Sequence, residues 1–440
     1  FTGLAISAFI AFPNFTHAAD QVVTNNDNSG AGSLRQAIID AGDGDEITFN
    51  LSSDFEVISL SEELYLFSTG KGVTIDGTNA APGSGVDVTI QVTTPGSSSF
   101  RVFNIRPGTG KMITLKNMTI KGGDIKAAGP VLRDGGAISA DYYGGLTLDN
   151  VTITGSTAAR GGGIYVYNLN GGLTITNSTI SNNTAYYYSN FGGYGGGISV
   201  RDTDTVITGT TMDSNTINGS GGNGQSGGGI YSYSNNLTID KTTISNSTAS
   251  HSGGGIYDTG GSTVVLTNST IHGNTTNASN GGGINFSGGT STITNTTIFN
   301  NTAYYFGGGA ALSGTNYLTN STIANNLLTY ASYESEGLYN GEILYIKNTI
   351  LANNDSDFSN DGTVNNNGYN IVENSSGYDW EGTGDIIGDQ EDLNLSASLA
   401  RNPTLNGTQT LALSANSVAI NAGNGTANNG VSIPATDQRG

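Results

Sequence analysis

The sequence of 440 residues contains no cysteine and only three histidines. Without cysteine, the chain forms neither disulfide bonds nor thiolate metal sites. The histidines, His17, His251 and His272, stand at unrelated places, so we expect no cluster of imidazole ligands. Residues 357–362 resemble the start of a calcium loop, but Gly368 stands where the bidentate glutamate is required, which favours a solvated turn. The sequence therefore predicts no metal site and indicates no cofactor.

Positive charge is also scarce. The chain has 15 Lys and Arg residues against 35 Asp and Glu residues, which gives a formal net charge of −20 at pH 7. Binding to nucleic acid or to an anionic membrane surface requires clusters of Lys and Arg. The composition therefore argues against nucleic acid as a partner and leaves cations and neutral glycans as candidate ligands.

Long hydrophobic runs are missing as well. The apolar stretch over residues 4–15 is short, and residues 16–19, Thr-His-Ala-Ala, follow it in a pattern that is typical of a signal-peptidase site. This pattern predicts a signal peptide over residues 1–18 and a secreted or cell-surface protein. A buried apolar strand is the alternative for the same stretch. No later run is long enough to cross a membrane.

Glycine, by contrast, is abundant, and much of it stands in clusters of one kind. Each cluster has the form Gly-Gly-Gly-Ile or a close variant, and the clusters end at Ile138, Ile164, Ile198, Ile230, Ile256, Ile284 and Ala310. Successive clusters are 26, 34, 32, 26, 28 and 26 residues apart. A spacing that recurs in this range is typical of a repeat array.

A second marker, a threonine followed by an aliphatic residue, keeps step with the glycines. Its aliphatic members are Ile120, Ile153, Ile180, Met212, Ile244, Ile271, Ile298 and Ile323. Around both markers apolar and polar residues alternate with period two, as in residues 173–176, Leu-Thr-Ile-Thr, which indicates short strands. Such strands bury their apolar face by stacking on the previous copy. The predicted fold class is all-β, a single-stranded right-handed parallel β-helix with an N-terminal capping helix.

In this fold the two sets of aliphatic residues form interior ladders, with about 4.8 Å between neighbouring coils. Glycine precedes the first ladder because the backbone turns a corner there. Asparagine recurs three residues after the second ladder, and we expect it to supply a left-handed turn residue. These asparagines are Asn183, Asn215, Asn274, Asn301 and Asn326.

The segment before the repeats is expected to cover the open end of the solenoid. Residues 33–36, Ser-Leu-Arg-Gln, form a capping box that opens an amphipathic helix over residues 34–41. We expect its apolar side chains, Leu34, Ala37, Ile38 and Ala41, to face the first coil. The expected organisation is a signal peptide over 1–18, a cap with the first strands over 19–75, β-helix repeats over 76–350, and a C-terminal end over 351–440.

Two parts of the sequence resemble known families. Residues 22–38 and the glycine repeats paired with aliphatic-x-x-Asn resemble bacterial surface β-helix proteins, among them chlamydial polymorphic outer membrane proteins, which are autotransported adhesins. Here Ile or Met replaces the Phe of that family's Phe-x-x-Asn. Residues 402–405, 408–413, 417–423 and 435–440 are similar to the choice-of-anchor Q region, and the sequence ends inside that motif. This resemblance implies export and display at the cell surface, and it implies no activity.

Alignment of the coils on their glycine clusters brings distant side chains into columns. The third residues after the isoleucines are Asp141, Tyr167, Arg201, Tyr233, Thr259 and Ser287, so we expect Arg201 to stack between two tyrosines. Two positions earlier, Tyr165, Tyr231 and Tyr257 are expected to face outward as well. An aromatic face with nearby polar groups suits sugar rings and predicts a ligand-binding surface. Ordinary cross-strand ladders that stabilise a sheet are the alternative.

The longest segments between the strands, residues 121–134, 181–194 and 213–226, are expected to leave the solenoid at one corner. Tyr186 and Tyr187 belong to an aromatic group in the second of them, which also contains Tyr188, Phe191 and Tyr194. Loops on a rigid scaffold often carry recognition, so these tyrosines are further candidates for ligand contact. A lid packed onto the strands is the alternative.

Catalytic residues are not assigned. Polysaccharide lyases and glycoside hydrolases occur on this fold, and glycoside hydrolysis needs two carboxylates about 5 to 9 Å apart. Asp202 and Asp204 are the nearest such pair in sequence, and solvated turn residues explain them equally well. The threonines of the second marker form a regular row, which is a feature of ice-binding solenoids. The row two residues further on is mixed, with Lys121, Asp213 and Phe299 among its members, so no double array of hydroxyls forms and ice binding is not favoured.

The sequence thus favours a monomeric, secreted, surface-displayed β-helix over an enzyme. We expect an adhesin or structural passenger that binds glycans or other ligands on host or neighbouring cell surfaces. The alternative is a polysaccharide lyase or glycoside hydrolase on the same scaffold.

Overall fold

The chain winds into stacked coils. The computed structural model describes residues 20–52, 56–67, 71–80, 87–93, 100–125, 134–187, 193–219, 224–233, 236–330, 335–374, 378–388, 393–401 and 408–426. Within these residues the strands of each coil pair in parallel with those of the coils before and after it. The chain is therefore the all-β parallel β-helix that the repeats predict. The expected signal peptide lies outside the described residues.

A complete coil contributes up to four strands, which stack into four columns. The first column contains the strands that follow the glycine clusters, and it begins two coils earlier. Its strands are Leu64–Phe67, Phe103–Arg106, Ile138–Asp141, Ile164–Tyr167, Ile198–Arg201, Ile230–Tyr233, Ile256–Thr259, the first part of Ile284–Thr294, the first part of Ala310–Thr319, Leu338–Asn340 and Phe358–Asn360.

The second column follows directly along the chain. Its strands are Gln21–Val23, Glu46–Phe49, Val73–Asn79, the first parts of Met112–Lys121 and Gly145–Thr154, Leu173–Thr176, Thr205–Thr208, Asn236–Asp240, Thr263–Thr267, the last parts of Ile284–Thr294 and Ala310–Thr319, Ile343–Lys347 and Thr363–Asn366.

The third column carries the threonine-aliphatic marker. Its strands are Val57–Leu60, Val88–Val92, the last parts of Met112–Lys121 and Gly145–Thr154, Thr179–Ser181, Thr211–Asp213, Thr243–Ser245, Thr270–His272, Thr297–Phe299, Thr322–Ala324, Ile350–Ala352, Ile371–Val372 and Ile386–Ile387. The fourth column is short, with strands Thr157–Ala158, Thr184–Tyr186, Thr216–Asn218, Thr248–Ala249, Thr275–Thr276, Thr302–Ala303 and Leu327–Leu328.

Both predicted aliphatic ladders are confirmed. In the first column Ile164 pairs with Ile198 and Ile198 with Ile230, and all three are fully buried. In the third column every aliphatic residue of the marker, from Ile120 to Ile323, is likewise fully buried. The alternation along each strand therefore sends aliphatic side chains into the solenoid, where each coil covers the apolar face of the next. Removal of this area from water is the main source of stability.

Glycine is required at the corner before the first column for two reasons. The first glycine of each cluster has a positive φ, for example +59° at Gly161 and +76° at Gly227, which favours glycine. The second position also requires glycine, because another coil lies against it and leaves no room for a Cβ. A Cβ on Gly228 would lie 2.3 Å from the carbonyl oxygen of Gly254. The predicted corner is confirmed, and the close approach explains why more than one glycine is needed.

The prediction that the recurring asparagines supply left-handed residues is wrong. The residue before each of them has the positive φ, for example +55° at Asn182 and +52° at Asn300. The recurring asparagines themselves point into the solenoid and are fully buried. The strand ends at this corner leave backbone groups without strand partners, and buried backbone groups need hydrogen bonds. A carboxamide, which both donates and accepts, satisfies them from inside.

These asparagines form an internal ladder of hydrogen bonds. The side chain of Asn301 donates to the backbone oxygen of Ile271 at 3.0 Å and to Oδ1 of Asn326 at 3.1 Å. Its own Oδ1 accepts from the backbone and side-chain nitrogens of Asn274, at 2.9 and 3.0 Å.

The ladder continues to Asn354, whose side chain donates to the carboxylate of Asp357 at 2.7 Å. Asp357 is fully buried, so the solvated turn expected there is wrong.

The N-terminal helix is confirmed. It spans Leu34–Asp40, and the side chain of Ser33 caps it by accepting a hydrogen bond from the backbone of Gln36 at 3.2 Å. Leu34, Ala37 and Ala41 are buried and Ile38 packs partly buried against the core, as expected. The helix therefore covers one end of the apolar interior. No helix of the described residues is long and apolar enough to span a membrane.

At the other end, Tyr378 and Trp380 pack against the last first-column strand. Their ring centroids lie 5.6 and 5.1 Å from that of Phe358. The chain then folds back, which the sequence did not predict. Leu395–Arg401 and Gln409–Leu413 form an antiparallel pair. We name residues 393–401 and 408–426 the C-terminal strap, because they lie along the outer side of the third column.

Candidate ligand-binding surface

The outer face of the first column places Arg201 between two tyrosines. Tyr167 pairs with Arg201 and Arg201 with Tyr233 in neighbouring coils. The guanidinium carbon lies 4.9 Å from the ring centroid of Tyr233 and 5.9 Å from that of Tyr167. These distances agree with the expected stacking of a cation on aromatic rings. The Arg201 side chain remains 48% exposed, so its guanidinium is still accessible to a ligand.

Two exposed tyrosines that sequence reasoning missed extend this row. Tyr142 and Tyr143 are 44% and 53% exposed. Both have positive φ values, 57° and 68°, which are uncommon for bulky residues. The ring of Tyr142 stands edge-on to Tyr167, with 5.6 Å between centroids. Alignment on the glycine clusters did not find these residues because they lie in the turn after the strand.

We name Tyr142, Tyr143, Tyr167, Arg201 and Tyr233 the aromatic–arginine surface. Carboxylates border it on two sides. Asp141 is in the expected column, but Arg106 of the preceding coil binds it, with 2.7 Å between Nε and Oδ1. Asp202 lies beside Arg201, with 3.4 Å between Oδ2 and Nε. Such surface ion pairs contribute little to stability. They leave the surface with rings, one accessible guanidinium and carboxylate oxygens, which together can stack on and hydrogen-bond to a polar ligand.

The second tyrosine row is only partly accessible. Tyr231 packs between Tyr194 and Tyr257, with centroid distances of 4.4 and 5.8 Å, and Tyr231 and Tyr257 are half-buried. The expectation that Tyr165 offers its ring to solvent is wrong, because Tyr165 is only 6% exposed. The guanidinium of Arg160 lies 4.8 Å from its ring centroid and covers it.

Arg160 is itself held in place at the corner that precedes the first column. It makes two hydrogen bonds of 2.6 Å to the carboxylate of Asp134. Burial against this ion pair also raises the pKa of Tyr165 well above its usual range. The sequence could not show this cover, because Arg160 belongs to the corner and not to the strand. Tyr165 is therefore part of the support beneath the surface and not of the surface itself.

The described C-terminal ends of the long segments meet at one corner of the solenoid, the corner that precedes the first column. Short bridges align Asp134 with Arg160, Arg160 with Tyr194, and Tyr194 with Ser226, at the ends of these segments.

The tyrosines predicted in the second long segment are not freely accessible. Tyr186 is only 7% exposed and its hydroxyl donates to the backbone oxygen of Ile125 at 3.4 Å, so its expected accessibility is wrong. Tyr187 is half-buried. The remaining loop candidates, Tyr188 and Phe191, lie outside the described residues.

The carboxylates considered for catalysis have other partners. Asp204 accepts hydrogen bonds from the backbone and side-chain nitrogens of Asn236, at 3.1 and 3.0 Å. Asp202 lies against Arg201 as described. Among the residues that the structure describes, no three His, Asp or Glu side chains converge to hold a metal ion.

One carboxyl lies inside the solenoid, below the tyrosine rows. Asp258 occupies an inward position of the first column, paired with Ser232 and Phe286, and is fully buried. The Ser232 hydroxyl donates to its Oδ1 at 2.5 Å. Burial disfavours the charged form and raises the pKa of Asp258 to about 6.

This carboxyl makes stability depend on pH. Its folded pKa is above the unfolded value, so its contribution is complete below pH 4 and is lost as the pH rises through about 6. The loss amounts to about 3 kcal/mol at pH 8. We expect Asp258→Asn to remove this loss, measured as the difference in unfolding free energy between pH 4 and pH 8. Asp204→Asn, which changes an exposed carboxyl, is the control. An Asp258→Asn variant whose stability has the same pH dependence as the wild type would show that Asp258 does not cause it.

Comparison with known proteins supports the architecture. The family model for the right handed beta helix region matches residues 187–336, which contain five of the glycine corners. No curated protein and no solved structure matches the chain. The stacked coils, the glycine corners and this match agree on one fold. The chain is a right-handed parallel β-helix repeat protein.

Proposed function

We propose that this chain is the β-helical part of a secreted, surface-displayed protein that binds glycans through its aromatic–arginine surface, as an adhesin or structural passenger. The observation that carries the proposal is the accessible guanidinium of Arg201 between Tyr167 and Tyr233, with Tyr142 and Tyr143 exposed beside them. Display outside the cell is supported by the signal-peptidase-like residues 16–19 and by the resemblance to surface β-helix proteins.

Sugar rings suit this surface for a physical reason. A pyranose has an apolar face that packs on an aromatic ring, and its hydroxyls accept from a guanidinium or donate to a carboxylate. Arg201 lies in the same row as Tyr167 and Tyr233, and Asp202 lies beside Arg201, so both kinds of contact are available together. The net charge of −20 favours neutral glycans over polyanions.

Binding to immobilised glycans tests this proposal. We expect the wild-type protein to bind a subset of neutral glycans on an array, and Arg201→Ala or Tyr233→Ala to weaken that binding about tenfold each, by removing stacking and hydrogen bonds. Tyr345→Ala is a matched control, because Tyr345 stacks on Tyr317 at 4.8 Å on the second column. Equal losses in all three variants, or binding that Arg201→Ala leaves unchanged, would contradict the proposal.

The alternative function, polysaccharide cleavage, has a separate readout. The proposal predicts that incubation with a bound glycan releases no reducing sugar and no unsaturated product. Release that disappears in Asp202→Asn or Asp204→Asn would replace binding by hydrolysis or elimination as the function.

A further inference from the structure

A cavity of about 320 Å³ lies between the C-terminal strap and the outer side of the third column. The strap is held at two places. The hydroxyl of Thr270 donates to the backbone oxygen of Gln409 at 2.6 Å and accepts from its nitrogen at 3.0 Å. Further along, Asn424 and Asn348 exchange two hydrogen bonds of 3.0 and 2.9 Å. The cavity thus lies between two fixed contacts, and both of its walls belong to this chain.

One wall of the cavity is apolar. Leu395, Leu411 and Leu413 of the strap line it, and Ile350 lines it from the solenoid. The outward row of the third column is threonine as far as Thr322 and isoleucine from Ile350 onward. The solenoid therefore presents apolar side chains in the last coils that the strap covers. Burial of these side chains stabilises the strap in its position.

The polar part of the lining carries no charge. None of the lining residues is Asp, Glu, Lys, Arg or His. The nearby ammonium of Lys347 hydrogen-bonds to the backbone oxygen of Thr426 and does not line the cavity. Desolvation of a charged ligand here would have no opposite charge to offset it. The cavity therefore suits a neutral ligand.

Three hydroxyl groups in the lining are available to such a ligand. The hydroxyls of Thr322, Thr410 and Tyr369 have no hydrogen-bond partner within the described part of the chain, and all three residues line the cavity. Each hydroxyl can donate one hydrogen bond and accept others. A ligand that faces them must be rich in hydroxyls or carbonyls on one side and apolar on the other.

We propose that this cavity binds a neutral pyranose sugar of one or two units. A pyranose combines an apolar ring face, which suits the leucine wall, with hydroxyls around its rim, which suit Thr322, Thr410 and Tyr369. The volume is at the lower end of the range for small-molecule sites, which suits one or two pyranose rings. The site lies on the third column, whereas the aromatic–arginine surface lies on the first, so the two sites are independent.

Calorimetric titration of the purified chain with glucose, galactose, mannose, N-acetylglucosamine, maltose, cellobiose and lactose tests the site. We expect at least one of these sugars to bind, and Thr322→Val or Thr410→Val to raise its Kd about tenfold by removing one hydrogen bond each. Thr211→Val is the matched control, because Thr211 is exposed in the same row of a coil outside the cavity. Thermal unfolding of each variant checks that the fold is retained.

Three results would overturn the proposal. One is the absence of binding for every sugar in the panel at millimolar concentration. Another is binding that neither valine substitution in the cavity weakens. The third is binding that Arg201→Ala abolishes, since it would belong to the aromatic–arginine surface. If no glycan binds at the aromatic–arginine surface but a small sugar still binds in the cavity, the proposed function is wrong and this inference stands.

Discussion

Replacement of Asn301 by alanine is expected to destabilise the protein by about 4 kcal/mol, because several buried groups lose their partners at once. The side chain of Asn301 serves the backbone oxygen of Ile271, both nitrogens of Asn274 and Oδ1 of Asn326. Water does not reach this column to replace it. Chemical denaturation measures the effect as a lower midpoint.

Asn277→Ala is the matched control, because Asn277 is an exposed asparagine close to Asn274 in sequence. We expect it to change the unfolding free energy by less than about 0.5 kcal/mol. Similar effects of the two substitutions would show that the internal ladder contributes little, and the account of the corner would then be wrong.

Gly228→Ala is expected to cost a similar amount, about 4 kcal/mol, through steric overlap between coils. The added Cβ would lie 2.3 Å from the backbone oxygen of Gly254 and 2.7 Å from the backbone carbon of Thr248. Both atoms belong to the rigid backbone of another part of the solenoid, so neither can move aside cheaply. A single methyl group therefore forces two stacked coils apart.

The control for Gly228→Ala is Gly425→Ala, because a Cβ at Gly425 meets no atom within 4 Å. Thermal unfolding of both variants decides the matter. We expect a large decrease in Tm for Gly228→Ala and almost none for Gly425→Ala. A Gly228→Ala protein as stable as the wild type would contradict the close stacking of the glycine corners.

The fold was predictable because it repeats. The glycine clusters and the threonine-aliphatic marker recur in step, and period-two alternation around them fixes which side chains face inward. Once the coils were aligned, Ile164, Ile198 and Ile230 had to share one interior column, as they do. The position of Arg201 between Tyr167 and Tyr233 followed from the same alignment.

The errors arose where the repeat does not determine the outcome. Asparagine suits both a left-handed turn and an internal hydrogen-bonding position, and in this chain the residue before it takes the turn. Tyr165 lies in an outward position, but its exposure depends on Arg160, which approaches from the corner. Alternation gives the direction of a side chain and cannot give what lies over it.

The C-terminal strap could not be predicted for another reason. Its contact between Thr270 and Gln409 joins residues 139 positions apart, and the strap has no repeat from which register could be inferred. One feature of the sequence does indicate that a segment covers this face. The outward row of the third column changes from threonine to isoleucine at Ile350, so an apolar outer face signals that another segment covers it.

A crystal structure of the complex with an oligosaccharide identified on the glycan array would show directly where the glycan binds. We expect a sugar ring stacked on the tyrosines of the aromatic–arginine surface, with a hydroxyl hydrogen-bonded to the guanidinium of Arg201. An oligosaccharide bound away from Tyr142, Tyr167, Arg201 and Tyr233, with these side chains free of ligand, would contradict it.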